Sequence, residues 1–223
     1  MEWRLPPPEG KPPVKLRLSS IVLLALLSAC SRAGQVGSGG VYVVRSACPQ
    51  VAIPAATGDI TLFAPAGRTD AAAIDVTAAI TNVRATCSDD GAYVVSTANF
   101  DVIATRRDAG AARQVILPYF NVAMQGGNAV VAKRLGRVAV DFPAGSLRAQ
   151  SSSQATVRIA RASATLPSDI QRQLTRERKA GDPDAAIDPM SDPTVRDAVA
   201  KATFEQLIGF QLTQGQLQYN ATR

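Results

Sequence analysis

The chain has 223 residues, a formal net charge of +6 and no histidine. Without histidine, the commonest general base and metal ligand is missing, which argues against an enzyme and against a metal site. The charge falls to about +4 when the four cations and two anions of the first 29 residues are set aside, an excess that fits an anionic membrane surface as well as a nucleic acid. Nothing in the sequence calls for a cofactor.

The first thirty residues have the order of a secretory signal. A positively charged start is followed by the mostly apolar run Leu16 to Leu27 and by the small residues Ser28 and Ala29. The apolar run is shorter than the roughly 20 residues of a membrane-spanning helix. The sequence Leu27-Ser28-Ala29-Cys30 resembles the bacterial lipobox, which implies that Cys30 is lipidated, becomes the first mature residue and anchors the protein in a membrane. An ordinary secretory signal near a free cysteine is the alternative.

The residues after this cysteine predict where the protein resides. Ser31 stands where an aspartate would mark inner-membrane retention in enteric bacteria, so we expect an outer-membrane lipoprotein on the periplasmic face. That address excludes nucleic acid as a partner. Residues 30–40 are rich in glycine and serine and predict a flexible tether. The sequence thus divides into a signal peptide (1–29), the tether (30–40) and one folded domain (41–223).

Two cysteines, Cys48 and Cys87, remain in the predicted domain. In an oxidising compartment an isolated pair indicates a disulfide. Two buried free thiols are the alternative.

The domain has the pattern of many short strands separated by turns, which predicts a mainly β fold, an antiparallel Ig-like β-sandwich. The apolar phase changes near Asn82, which predicts a bulge or bend, and Pro118 predicts an edge strand or a bulge. Asp89-Asp90-Gly91 and Gly126-Gly127-Asn128 are turn sequences. The tryptophan of antibody domains is missing, since Trp3 lies in the leader. The predicted strands are 41–45, 60–63, 74–80 continuing to 87, 94–102, 116–124, 129–133, 135–142, 155–161 and 204–212.

Residues 167–201 interrupt this pattern and predict one or two short helices inserted before the last strand. Ser168 and Gln171 have the spacing of a capping box, and Asp192 with Pro193 predicts the start of a second helix that runs to about Lys201. Thr213 is a candidate cap for a last helical turn.

A basic patch falls on the first of these predicted helices. Arg172, Arg176 and Lys179 share one helix face. Cations near an anionic lipid surface contribute up to about 1 kcal/mol each, so these three side chains are a candidate lipid-facing patch. A solvated charged face is the alternative.

Separated stretches of the chain resemble a family of uncharacterised lipoproteins of alphaproteobacteria. The resemblance implies an envelope location and an Ig-like sandwich, and it implies no known activity. The chain differs from the family in its long segment 167–201. The matching stretches are Cys48-Pro49 with Val51 and Ile53, Cys87, Pro118-Tyr119-Phe120, Ala132-Lys133, and Gly209-Phe210-Gln211-Leu212-Thr213 with Gln216-Leu217 and Tyr219-Asn220.

Other clusters of reactive side chains have simpler explanations. Ser151-Ser152-Ser153 is predicted to lie in a polar loop without a catalytic partner. Asp89 and Asp90 fit a hairpin turn better than a carboxylate pair. Asp182, Asp184, Asp188 and Asp192 lack the glycine and glutamate of an EF-hand. The motif Gly209 to Asn220 is either a partner surface or a core strand with a cap, and its apolar period favours the core.

The sequence therefore predicts a non-enzymatic envelope lipoprotein that acts as a structural or protein-interaction module, with another envelope protein as its partner. A binding module for a small ligand or a cell-wall glycan is the alternative, and an enzyme is the third hypothesis. The shape of the surface should distinguish the protein-interaction hypothesis from the ligand-binding one. A flat apolar patch or an exposed strand edge favours a protein partner, whereas a concave pocket lined with aromatic side chains favours a ligand.

Overall fold

A computed structural model of the chain describes residues 46–176, 181–183 and 186–222. The predicted signal peptide, Cys30, the predicted tether and the predicted strand Val41–Arg45 lie outside these residues, as do Lys179 and Asp184.

The described chain is built from eight strands, with short helices before the last strand and after it. Five consecutive strands are long, and in most of them buried side chains alternate with exposed ones, as expected for strands that cover a core with one face. The strands are β1 (Gln50–Ala52), β2 (Asp59–Phe63), β3 (Ile74–Asp89), β4 (Tyr93–Arg106), β5 (Arg113–Gln125), β6 (Ala129–Phe142), β7 (Arg148–Ala160) and β8 (Phe204–Phe210). The α-helices are α1 (Arg161–Ala164), α2 (Ser168–Thr175), α3 (Pro193–Lys201) and α4 (Gln214–Thr222), and short 3-10 helices span Ala71–Ala73 and Pro189–Ser191.

The strands form two four-stranded sheets, in the orders β1-β8-β5-β6 and β2-β3-β4-β7. All pairs are antiparallel except β1 with β8, which is parallel. The predicted antiparallel β-sandwich is confirmed. Three consecutive strands, β2, β3 and β4, are neighbours in one sheet, whereas an immunoglobulin domain divides its strands into the sheets ABED and CFG. The likeness to immunoglobulin domains therefore lies in the two-sheet architecture and not in the order of connection.

The core lies between the sheets and is filled from both inner faces. Phe100 on β4 meets Tyr119 on β5 edge to face, with ring centroids 5.2 Å apart. Phe142 and Phe210 are fully buried beside them. Each large apolar side chain contributes roughly 1.5–3 kcal/mol when it leaves water, and most residues of this core are aliphatic, so aliphatic and aromatic side chains together hold the sheets.

The irregularity predicted near Asn82 is confirmed. The register of β3 on β4 shifts between Thr81 and Arg84, and Asn82 has a φ of 52°. Asparagine tolerates this left-handed conformation better than most residues. Its side-chain amide donates to Asp101 Oδ2 at 2.8 Å, which holds the bulge against β4.

The prediction for Pro118 is wrong. Strand β5 lies inside its sheet, between β6 and β8, and the register shift in its pairing with β6 lies at Ala123 and Met124, away from the proline. Pro118 is tolerated because it lies where the pairing with β8 ends. Its carbonyl accepts a hydrogen bond from Gln211 N at 2.9 Å, and the N–H that proline lacks would serve only this last step of the ladder.

The helical insertion before the last strand is confirmed, although its first cap differs from the prediction. Pro167 occupies the N-cap position of α2 and makes no side-chain cap, so the capping box of Ser168 is wrong. At α3 the Asp192 carboxylate accepts from Thr194 N at 2.8 Å, with Pro193 at the first helical position, as predicted. None of the helices in the described part of the chain is long and apolar enough to cross a membrane.

A buried polar network joins the two sheets near the β7 side. Ser96 Oγ on β4 donates to Gln206 Oε1 on β8 at 2.7 Å. Gln206 Nε2 donates to Asn121 Oδ1 at 3.0 Å and to the Ala155 carbonyl at 2.9 Å. Because the network crosses from one sheet to the other, it fixes their relative register as hydrophobic packing alone would not.

Buried Arg106 holds the turns at one end of the sandwich. Its guanidinium donates four hydrogen bonds of 2.7–3.0 Å to the carbonyls of Ser146, Ala111, Gly110 and Pro143. A buried cation is tolerated when its donors are satisfied. The side chain therefore connects the β4–β5 turn to the β6–β7 turn.

Candidate functional site

The predicted disulfide is confirmed. Cys48 precedes β1 in one sheet and Cys87 lies near the end of β3 in the other, and their sulfurs are bonded with the Cα atoms 6.0 Å apart. The bond closes a loop with a sequence separation of 39 residues. It therefore ties the N-terminal end of the described chain across the sandwich.

Gly209 belongs to the distinctive C-terminal motif, and the structure shows why a glycine occupies it. A Cβ atom on Gly209 would lie 2.3 Å from Thr57 Oγ1 and 2.7 Å from Phe120 Cζ. The adjoining Phe210 is fully buried, and its N–H donates to the Thr57 carbonyl at 2.8 Å. This half of the motif is a core strand.

The second half of the motif is a cap, as the sequence predicts for Thr213. Its Oγ1 accepts from Gln216 N at 3.3 Å, while the Gln216 side chain accepts from Thr213 N at 2.9 Å, a reciprocal capping box. Helix α4 then packs on β2, where Tyr219 meets Phe63 edge to face at 5.1 Å between ring centroids. The motif closes the sandwich, and its position is explained without a partner.

The predicted basic patch lies among both basic and acidic side chains. Arg172 and Arg176 line an open groove of about 610 Å³ between α2 and the 3-10 helix Pro189–Ser191. Asp169, Asp188 and Asp192 line the same groove, so carboxylates stand beside the cations. Lys179, the third member of the patch, lies outside the described residues.

The clustered aspartates act as caps and turn residues. Asp89 Oδ1 accepts from Gly91 N and Asp90 Oδ1 from Tyr93 N, each at 2.9 Å, within the β3–β4 hairpin. Asp188 caps the 3-10 helix by accepting from Met190 N at 2.9 Å. Within the described ranges, no three histidine, cysteine or acidic residues come together as metal ligands.

The serine run is not in a loop, so that prediction is wrong. Ser151–Ser153 lie in β7 opposite β4, and Ser152 Oγ donates to Asp101 Oδ1 at 2.6 Å. Together with the Asn82 amide, this hydrogen bond lowers the pKa of Asp101 below its usual value. The depression around these residues is open, and its one aromatic lining residue, Phe100, is buried in the core. It offers a sugar no exposed ring for stacking.

The most exposed apolar surface in the described part of the chain lies on the β5–β6 hairpin. Leu135 is 65% exposed, Val130 60%, Ile116 56% and Val131 49%. Residues 129–135 of β6 are all exposed, whereas Val138, Val140 and Phe142 of the same strand are buried. We call residues 130–137 the β6 edge. Exposed apolar residues that cluster on one strand mark an interaction surface more often than scattered ones do.

Three cations stand among these apolar side chains. Lys133, Arg134 and Arg137 lie on the β6 edge, and none of them forms a salt bridge with a described residue. The Lys133 ammonium lies 5.9 Å from the centroid of the Phe120 ring on β5. The β6 edge is therefore both apolar and basic.

Sequence reasoning missed this surface, although a signal for it is present. The stretch Val130-Val131-Ala132-Lys133-Arg134-Leu135 does not alternate between apolar and polar residues as a half-buried strand does. On a strand with one solvent-exposed face and one buried face, three consecutive apolar residues followed by two cations cannot all have the environment that suits them. The broken alternation was an indication of an exposed strand.

Comparisons of the chain with protein families, with curated proteins and with solved structures give no match.

Proposed function

We propose that this protein is a lipid-anchored module of the bacterial cell envelope that binds another envelope protein and performs no chemistry itself. In this proposal the leader directs export, Cys30 carries the acyl chains, and the tether lets the sandwich stand away from an outer membrane on its periplasmic face. The domain then presents the β6 edge to its partner.

The observation that carries the proposal is the shape and chemistry of the β6 edge. Its apolar side chains, led by Leu135 and Val130, are exposed on an edge strand. Clustered exposed apolar side chains suit a protein partner, whereas small ligands prefer concave sites that enclose most of their surface. The mixed groove beside α2 and the open depression beside Asp101 supply no comparable apolar enclosure, which makes the ligand alternative weaker.

The disulfide supports the proposed compartment. A bonded pair such as Cys48–Cys87 persists in the periplasm and is rare in a reducing cytosol. Export is also the step that the leader would direct. The two features agree although they come from separate parts of the chain.

Crosslinking in intact cells tests partner binding. A photo-crosslinking residue in place of Leu135 should capture a defined envelope protein. The same residue in place of Thr105, which is exposed on β4, an interior strand of the other sheet, should not. Capture at both positions or at neither would contradict the proposed surface.

Fractionation tests the anchor. The Cys30→Ala variant should leave the membrane fraction while the native protein stays in it, because acyl chains contribute about 0.8 kcal/mol per buried CH2. Mass spectrometry of the native N-terminal peptide should find the lipid. An unmodified Cys30 in a membrane-free protein would exclude the anchored module.

A further inference from the structure

Three of the four sheet edges of the sandwich are closed, each in a different way, and no described residue closes the fourth. Edge strands expose backbone N–H and C=O groups that can pair with another chain, so folded proteins usually shorten, cover or otherwise block them. Strand β1 is blocked by its length, since it has three residues. The other three edges are β2, β7 and β6.

The edge of β2 is closed by side chains of α4. Ile80 N donates to the Gly58 carbonyl, so the backbone of Gly58 points toward β3, and alternation then directs the carbonyls of Asp59 and Thr61 outward. Asn220 Nδ2 donates to the Asp59 carbonyl at 2.8 Å, and Gln216 Nε2 lies 3.5 Å from the carbonyl of Thr61.

The edge of β7 is closed by side chains from the facing sheet. Arg106 N donates to the Leu147 carbonyl, so alternation directs the carbonyls of Gln154 and Thr156 outward. Tyr119 Oη donates to the Gln154 carbonyl at 3.3 Å, and Asn121 Nδ2 donates to the Thr156 carbonyl at 3.1 Å. A second chain would have to displace both side chains to pair there.

The outward backbone groups of β6 can be identified in the same way. Gln211 N donates to the Pro118 carbonyl, so the backbone of Pro118 points toward β8. Alternation turns Tyr119 and Asn121 toward β6, where their partners are Gly136 and Arg134.

The intervening residues Lys133, Leu135 and Arg137 must then direct their N–H and C=O groups away from β5. No side chain of the described residues bonds to these groups. With respect to residues 46–176, 181–183 and 186–222, the β6 edge therefore has an unpaired backbone ladder, with two cations and a leucine on its outer face.

We propose that the β6 edge binds an extended, acidic segment of another protein by strand addition, with backbone hydrogen bonds to Lys133, Leu135 and Arg137. The inference rests on the proposed function and specifies how the partner is held. Main-chain pairing supplies the affinity in this mode, and side chains along the strand supply the choice of partner. Carboxylates on the added strand would lie beside the cations of β6, and such opposite charges on neighbouring strands attract.

A second copy of the chain and a lipid bilayer are less suitable occupants of this edge. Two copies paired with Leu135 opposite itself would set Lys133 against Arg137, and like charges directly opposite destabilise a pair. A lipid bilayer would attract the cations, but its hydrocarbon cannot satisfy the free N–H and C=O groups. An acidic strand satisfies both the charges and the ladder.

Peptide binding to the full chain with its natural N-terminus, held in nanodiscs of zwitterionic lipid, tests the proposal. The probe is a capped peptide of alternating valine and glutamate, about nine residues long and so long enough for a strand. A matched peptide carries lysine in place of glutamate. Fluorescence anisotropy should detect binding of the acidic probe and much weaker binding of the basic one.

Two changes separate strand addition from general attraction between charges. Leu135→Pro removes one outward N–H without touching a bond to β5 and should weaken binding about tenfold, as expected for the loss of roughly one hydrogen bond. Leu135→Ala keeps the N–H and should bind within about threefold of the native chain. Gln154→Pro makes the same change on the closed β7 edge and should leave binding unaltered.

The second change is made on the peptide, so that it does not depend on whether Leu135→Pro folds. Methylation of the backbone nitrogens along one edge of the acidic probe should abolish binding to the native protein. Binding that survives methylation, a basic probe that binds equally well, or binding to anionic vesicles alone would overturn strand addition. Crosslinking at Leu135 in cells would then still report whether a partner binds there by another geometry.

Discussion

Strands β2 and β6 are both edge strands of this sandwich, and the chain treats them in opposite ways. A whole C-terminal segment, from the Thr213 cap to Asn220, lies over β2 and occupies its outward carbonyls. Strand β6 is nearly three times as long, and no comparable segment of the described chain covers it. Helix α4 and its cap thus cover the edge of β2 but not the edge of β6. The contrast indicates that the exposure of β6 is a property of this protein and not a general feature of its edges.

We call the part of the molecule around β1 and β2 the closed side and the part around β6 the open side. The largest expected effect of a substitution on the closed side is that of removing the disulfide. The double variant Cys48→Ala with Cys87→Ala should lose about 4 kcal/mol of unfolding free energy, because a bonded loop of this length restricts the unfolded chain. Urea unfolding of the two proteins measures the difference. Ser88→Ala, a neighbouring exposed change, should unfold like the native protein. A double variant as stable as the native chain would mean that the cross-sheet tie does not stabilise the closed side.

The next effect tests the closure of β2 itself. Asn220→Ala removes two hydrogen bonds, to the carbonyls of Asp59 and Ala56 at 2.8 and 3.0 Å, and should cost about 2 kcal/mol because those carbonyls stay partly buried. Gln218→Ala on the exposed side of the same helix is the matched control. Hydrogen exchange should also speed up along β2. If both variants match the native stability, α4 does not hold the edge.

A smaller effect comes from the ion pair that links the sheets away from either edge. Arg113 on β5 forms two hydrogen bonds, of 2.8 and 2.5 Å, with the Asp75 carboxylate on β3. The hydrogen bond from Arg113 lowers the pKa of Asp75, although partial burial of the carboxyl acts in the opposite direction. Because the pKa is lower in the folded state, the pair stabilises the fold at neutral pH, and this stability is lost as the pH falls below the ordinary range of an aspartate.

Unfolding as a function of pH measures that contribution. Asp75→Asn should be less stable than the native chain by about 0.5 kcal/mol at neutral pH, since the pair is partly open to solvent. The difference should shrink as the pH falls through the lowered pKa of Asp75, and it should vanish once the native carboxyl is protonated as well. Asp197→Asn, an exposed change on α3, serves as the control. A difference that persists in acid would show that packing, and not charge, connects the sheets at this point.

The closed side of the molecule was largely predictable from the sequence, and the open side was not. The disulfide, the bulge at Asn82 and the Thr213 cap follow from local residue patterns, because each depends on neighbours in sequence or on compartment. Which edge remains free depends on how eight strands are ordered, and that order rests on long-range pairing. The polar network around Gln206 shows the same limit, since its partners are separated by up to 110 residues.

Pro118 and the serines of β7 show why local patterns failed in the sheet. Proline predicts an edge from its missing N–H, yet an interior strand accepts it where its neighbour ends. Ser151–Ser153 have the composition of a loop, but they lie within the long ladder of β7 with β4, where Ser152 also donates a hydrogen bond to the Asp101 carboxylate. In both cases the deciding partner lies on another strand, so single-sequence periodicity could not identify it.

The smallest expected effect on stability is the one that most directly tests the open side. Leu135→Ala should change the free energy of unfolding by less than about 0.5 kcal/mol, because an exposed side chain on an unpaired edge loses little packing when it is truncated. Val140→Ala, on the buried half of the same strand, should cost about 2 kcal/mol. Urea unfolding measures both. Equal losses at the two positions would mean that Leu135 is packed in the folded protein, and β6 would then be a second closed edge with no place for a partner.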